Sequence, residues 1–104
     1  MHVELISETT HDIFTNVFDT NVRGPYFLTQ AILPHMPTGG RIILISSSSA
    51  RLASKGAAMA LYSASKAAIE CLARTWAYEV RPILVIFHLH RLIFNSSLAL
   101  VVLL

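Results

Sequence analysis

At 104 residues with a formal charge of +2, the chain can form one small domain at most, and its basic residues are scattered along it. It has no basic patch with interleaved aromatics, which excludes nucleic acid as a partner. Apolar residues make up 54% and charged residues 13%, roughly half the usual charged share, so the chain is greasier than a soluble domain of its size and reads as a piece of a larger protein.

The one cysteine, Cys71, excludes an internal disulfide framework, suits a reducing, cytoplasmic compartment, and is expected to pack in a core or interface. The opening Met1-His-Val-Glu-Leu-Ile has neither a charged start nor a sustained apolar run, so no signal peptide is read. The first expected element is a helix over about residues 11–35, bent or interrupted near Gly24-Pro25. His35 is read as a helix-end residue, where a cation suits the dipole. Gly39-Gly40 then marks a turn into the apolar run Arg41-Ile-Ile-Leu-Ile-Ser46, a buried strand. Ile42, Ile43, Leu44 and Ile45 make that strand apolar on both faces. Such a strand belongs in the middle of a larger parallel sheet and wants neighbours that the chain does not supply. A loop through Gly56 leads to a second helix over about residues 60–80, whose Trp76 and Tyr78 are expected to pack against the sheet or a partner. A further strand is expected at 83–87.

In the second helix, Tyr62-Ser63-Ala64-Ser65-Lys66 places a tyrosine and a lysine four apart, one above the other on one face. Tyrosine alone is a poor acid–base group at neutral pH, its ordinary pKa being about 10. A neighbouring ammonium stabilises the phenolate and brings that value toward the working range. A serine from the end of the preceding strand completes a set suited to moving a proton to or from a carbonyl or alcohol oxygen. In open α/β sheets ligands bind outside the carboxyl ends of the strands, where the serines at 46–49 fall. The pair by itself is weak evidence, since a tyrosine meets a lysine at that offset roughly one time in twenty.

The surrounding segments make it strong. Phe18-Asp19-Thr20-Asn21-Val22-Arg23-Gly24-Pro25-Tyr26-Phe27, Leu33-Pro34-His35-Met36, Gly40-Arg41-Ile42-Ile43-Leu44-Ile45-Ser46-Ser47 and Tyr62-Ser63-Ala64-Ser65-Lys66-Ala67-Ala68 follow in order. From about Val3 to Pro82 the chain resembles the catalytic half of a short-chain dehydrogenase/reductase, and its polar arrangement is similar to that of fungal polyketide and naphthol reductases. The resemblance implies an α/β fold of partial doubly wound, Rossmann type: two long helices around one or two parallel strands, without the N-terminal cofactor-binding half. It implies an NAD(P)-dependent oxidoreductase, with NADP preferred, that moves hydride between the nicotinamide and a small carbonyl or alcohol substrate. Tyr62 would be the general acid in reduction and the base in oxidation. Lys66 would hold the nicotinamide ribose hydroxyls and lower the tyrosine pKa, so both residues also bind cofactor. Ser47 would hydrogen-bond the substrate oxygen, and Asn21 would help hold a water linking Lys66 to solvent. Ser46, Ser48 and Ser49 are adjacent alternatives to Ser47, and Ser48 and Ser49 are read as a polar, flexible loop. The resemblance also implies a homo-oligomer formed through the two long helices.

Other family features are missing. The four glycines, Gly24, Gly39, Gly40 and Gly56, make no G-x-x-x-G-x-G or G-x-G-x-x-G turn after a strand. The Asn-Asn-Ala-Gly segment and the later Pro-Gly turn of the family are absent too. The chain alone is therefore expected to be inactive, with residues 1–82 a partial catalytic domain and 83–104 a divergent apolar tail. The preferred reading of that tail is unrelated sequence from a frame change or unspliced intron; a tail anchor and a buried interfacial element are the alternatives. Its 22 residues are long enough to span a bilayer, but His88, His90, Arg91, Asn95, Ser96 and Ser97 interrupt them. A central arginine alone costs about 2.5–3.5 kcal/mol, so no membrane role is expected. His88-x-His90 puts two rings on one side of a strand without a third ligand, and no metal site is expected. The non-enzymatic alternative is a truncated protein that self-associates or pairs with full-length relatives through its helices, with membrane association by its tail as a further option.

Overall fold

A computed structural model describes residues 5–52, 59–90 and 101–103, with side chains described over 5–52 and 59–86. Helix α1, His11–Phe18, starts at Thr10, whose extended backbone lets its hydroxyl accept from Ile13 N–H at 3.2 Å. Phe14 and Phe18, one turn apart, stack with ring centroids 4.7 Å apart. The chain then widens into a π turn, Asp19–Arg23, closed by Gly24 N–H donating to Asp19 O. A Cβ at Gly24 would lie 3.2 Å from that carbonyl, so the glycine relieves the crowding of the wide turn. Helix α2, Gly24–Ile32, has Pro25 in its first turn and ends in a 3-10 turn, Leu33–His35. The interruption expected at Gly24-Pro25 is this π turn, lying immediately before the pair.

Gly39 takes φ 82°, open to glycine, and leads into strand β1, Arg41–Ser47. Ile42 and Leu44, at 0% and 1% exposure, point at helix α3, Ala60–Glu79, where Ile69, Ala73 and Trp76 receive them. Strand β2, Leu84–His90, returns parallel to β1 in the register Arg41↔Leu84 through Ser47↔His90. This β1–α3–β2 unit is a parallel pair with its crossover helix.

Several expectations change. The second strand runs to His90 rather than ending at 87, because its pairing follows β1 to the end. The missing neighbour is supplied by a third strand, β3, Val101–Leu103, antiparallel to β1 through Ile42↔Leu103, Ile43↔Val102 and Leu44↔Val101, so the sheet order is β2-β1-β3. Cys71 is exposed, since it lies nine residues beyond Tyr62 and half a helical turn away from the buried face. Tyr78 is 76% exposed under the Arg81 guanidinium, while Trp76 packs as expected and meets Tyr26 at 5.4 Å. Ser48 and Ser49 form a 3-10 turn, Ser48–Ala50, rather than a loose loop, and Ser49 is buried. Residues 53–58 of the loop through Gly56 and half of the expected tail lie outside the described residues, as do the side chains of His88 and His90. Among the described residues, no helix is long and apolar enough to cross a membrane.

Candidate active site

The buried face of α3 carries Tyr62, Ser65, Lys66, Ile69, Glu70, Ala73 and Trp76. Helical spacing makes this one stripe, polar in its first half and apolar in its second. The apolar half packs on the middle of the strands. The polar half therefore meets the C-terminal end of β1, where the backbone leaves the sheet and side chains turn polar. Ile42, Leu44 and Ser46 share one strand face, so the residue that follows the two core aliphatics toward α3 is a serine.

Lys66, at 1% exposure, donates from Nζ to Ile45 O at 3.0 Å, and its ammonium lies 5.7 Å from the centroid of the Tyr62 ring. Burial lowers the Lys66 pKa to about 8, since removing the ammonium from water disfavours the charged form. Tyr62 is 7% exposed. Ser47 Oγ accepts two bonds from Ser49, from N–H at 3.3 Å and from Oγ at 2.9 Å. A hydroxyl that accepts from its neighbour keeps its own hydrogen for a further acceptor. Ser49 thereby presents Ser47 as a donor.

Asn21, in the π turn, donates from Nδ2 to Ser65 Oγ at 3.0 Å, and Ser65 Oγ donates to Tyr62 O at 2.7 Å. Asn21 Oδ1 is buried without a protein partner. A third polar knot sits one turn along α3. The Glu70 carboxylate accepts from Ser46 Oγ at 2.8 Å and from Arg51 Nε at 2.9 Å, which ties the end of β1 and the 3-10 turn after it to the helix.

All four predicted residues are thus on elements that converge at one end of β1: Tyr62 and Lys66 on α3, Ser47 at the strand end, and Asn21 reaching α3 through Ser65. The links made by Ser65, Ser49 and Glu70 were not read from the sequence. Their signal was present only as serines beside the expected ones and an acid eight residues after Tyr62, on its helix face.

An ammonium and a phenol side by side suit the hydroxyls of a ribose, and the orphaned Asn21 Oδ1 suits a water or hydroxyl donor. These residues fit the nicotinamide-ribose end of a dinucleotide. Its pyrophosphate finds no counterpart among the described residues, whose helices are entered from Thr10, Arg23 and Met59 with no glycine-rich turn.

A parallel β–α–β unit with a tyrosine, a lysine and a serine at the carboxyl end of its first strand makes a partial Rossmann-type fold. The model of the short chain dehydrogenase family matches residues 1–89, and the chain belongs to that family. It is 43% identical over 77 residues to dehydrogenase OXI1 of Cochliobolus heterostrophus, covering 74% of this chain and 32% of that protein. It is 44% identical over 73 residues to tetrahydroxynaphthalene reductase PfmaG of Pestalotiopsis fici, covering 70% and 26%. Among solved structures, a dehydrogenase/reductase from Sinorhizobium meliloti superposes with a TM-score of 0.77 at 36% identity, over 83% of this chain and 34% of that one. A blue fluorescent protein from a metagenomic library, in complex with NADPH, does so at 0.78 and 34% identity, over 84% and 36%. The chain spans about a third or less of the length of these two fungal relatives.

Proposed function

We propose that this chain carries the proton-transfer part of an NAD(P)-dependent oxidoreductase acting on a small carbonyl or alcohol, and that it does not turn over alone. The observation that carries the reading is the Tyr62–Lys66 pair, buried on one face of α3 and anchored to the end of β1 through Ile45 O. A nicotinamide, when bound, supplies or accepts the hydride. Tyr62 then gives its phenolic proton to the carbonyl oxygen in reduction, and takes the alcohol proton in oxidation. Ser47 donates its hydroxyl hydrogen to the same oxygen and fixes its direction. Lys66 holds the ribose hydroxyls, and Asn21 offers Oδ1 to a water that connects the lysine to solvent. The similar protein solved with NADPH supports NADP as the cofactor. The lone cysteine supports a reducing, cytoplasmic setting.

The test is titration of the full chain with NADPH and NADH, followed by nicotinamide fluorescence. Weak saturable binding is expected, lost in Lys66→Ala and kept in Tyr62→Phe, without turnover. Identical titrations for the native chain and Lys66→Ala would remove the ribose-holding role. Turnover by the chain alone would remove the claim that it is inactive by itself.

A second reading rests on exposed apolar side chains. Phe14, Tyr26, Phe27 and Leu28 of α1 and α2 are 49%, 40%, 55% and 48% exposed, a surface suited to self-association or to pairing with longer relatives. Sedimentation velocity over a concentration series tests it; a monomer at every concentration rules out self-association.

A further inference from the structure

Helices α2 and α3 leave a cavity of about 100 Å³ between them. Tyr26, Thr29, Gln30, Trp76 and Glu79 line it, and Leu33 and Val80 supply the aliphatic part of its wall. Tyr62 and Glu79 stand near opposite ends of α3, about 25 Å apart along its axis, so the cavity is separate from the polar end of β1. Thr29 is 1% exposed, and its Oγ1 is buried without a partner among the described residues. A buried hydroxyl left unpaired costs stability unless something else satisfies it. Tyr26 and Trp76 form a tilted aromatic wall, with ring centroids 5.4 Å apart and planes at 59°. Glu79 is exposed and enters no ion pair among the described residues.

The backbone sets the sign of the ligand. Gln30 and Leu33 stand at the end of α2, and Glu79 and Val80 at the end of α3, so two helix C-termini converge on the cavity. Each brings the negative pole of its dipole, and neither has a basic residue in its last turn. His35 and Arg81, the next basic residues along the chain, do not line the cavity, and Arg81 is stacked on Tyr78. Aromatic faces, a carboxylate and helix C-termini all favour a cation. A cavity of about 150 Å³ holds a benzene ring, so this one suits a group of about four heavy atoms. A metal ion would find a single carboxylate there. A planar guanidinium can lie against a ring, donate to Thr29 Oγ1 and the Gln30 side-chain carbonyl, and pair with Glu79. We propose that this cavity binds the guanidinium group of a small molecule, with Glu79 as counter-ion, Thr29 as a buried acceptor and Tyr26 and Trp76 as walls. The site goes beyond the oxidoreductase reading and does not depend on it.

Trp76 is the one tryptophan of the chain, so its fluorescence reports the cavity directly. The full chain is titrated with methylguanidinium at constant ionic strength, against methylurea as the uncharged isostere. Methylguanidinium is expected to change the emission saturably, and methylurea to bind about tenfold or more weakly. Glu79→Gln should weaken the cation about tenfold and erase most of its preference over methylurea. Thr29→Val should weaken it about threefold or more while raising the thermal midpoint of the free chain, which no longer buries an unpaired hydroxyl. That second readout separates a lost contact from a misfolded cavity. A response without saturation, equal responses to the two ligands, or native affinity in Glu79→Gln overturns the proposal. So does a saturation midpoint that rises with protein concentration alongside dimerisation in sedimentation, since a second copy would then hold the cavity.

Discussion

Asn21 reaches across forty-four positions of sequence to donate its side-chain amide to Ser65 Oγ at 3.0 Å, and both residues are buried. This bond decides which way the asparagine carbonyl points, since the other end of the amide is the buried Oδ1 that no protein group satisfies. Ser65 in turn is held by Tyr62 O at 2.7 Å. The residue beside the lysine thus orients the residue that would hold its water.

Ser65→Ala should leave Asn21 Nδ2 unpaired beside an already unpaired Oδ1, at a cost of about 1–3 kcal/mol. Urea unfolding measures it. The double change with Asn21→Ala should cost less than the sum of the singles, by about 0.5–3 kcal/mol of coupling. Strict additivity would mean that the bond contributes nothing.

Lys66 gives a stability that depends on pH in a defined window. Burial lowers its pKa from 10.5 to about 8, so the folded state releases the proton before the unfolded state does. Below about 8 both states are protonated and the burial penalty is complete. As pH rises from there toward 10.5 the folded state alone has lost the proton, and stability rises with pH. Lys66→Met should flatten this rise, because the two chains differ at no other ionisable group. Equal gains in urea midpoint between about pH 7 and 10 for the two proteins would count against a depressed lysine.

Glu70 lies outside the motif, and its replacement should be felt at two elements at once. Glu70→Leu removes the acceptor for Ser46 and Arg51 together, and should destabilise by about 1–3 kcal/mol. It should also free the 3-10 turn Ser48–Ala50, which Arg51 follows. Faster amide exchange at Ser49, whose N–H donates to Ser47 Oγ, is the readout. Glu70→Gln keeps one acceptor oxygen and should restore part of the protection.

Ile42→Ala tests the core directly. Ile42 is 0% exposed between α3 and the sheet, and truncating it should cost about 2–5 kcal/mol. The same change at Ile43, half-buried on the opposite sheet face, should cost less. Thermal unfolding of the two variants makes the comparison; equal losses would mean that α3 is not the principal cover of β1.

Those costs follow from features of different legibility. The β–α–β unit was legible because Ile42 to Ile45 form an apolar run after two glycines and because Tyr62 and Lys66 stand at helical spacing. Both signals are local. The Asn21–Ser65 bond was not legible, because it depends on how α1 and α2 join, and nothing in Asp19–Arg23 announces a π turn. For Cys71 the core half of the reading fails, and its offset from Tyr62 already places it on the opposite helix face. β3 was beyond reach, since an apolar end says nothing about which strand edge it will pair with or in which direction.

The π turn has a consequence for how this segment tolerates change in length. A five-residue closure carries one residue more than an α turn, so α1 is rotated by about 100° relative to the phase it would hold in an uninterrupted helix. Deleting any single residue from Asp19–Arg23 would restore regular winding, turn the Phe14–Phe18 stack to a new azimuth and swing the amide of residue 21 away from Ser65. An insertion or deletion here therefore acts as a dial on the angle between two helices, whereas the same event before Thr10 would only shift where the chain enters them.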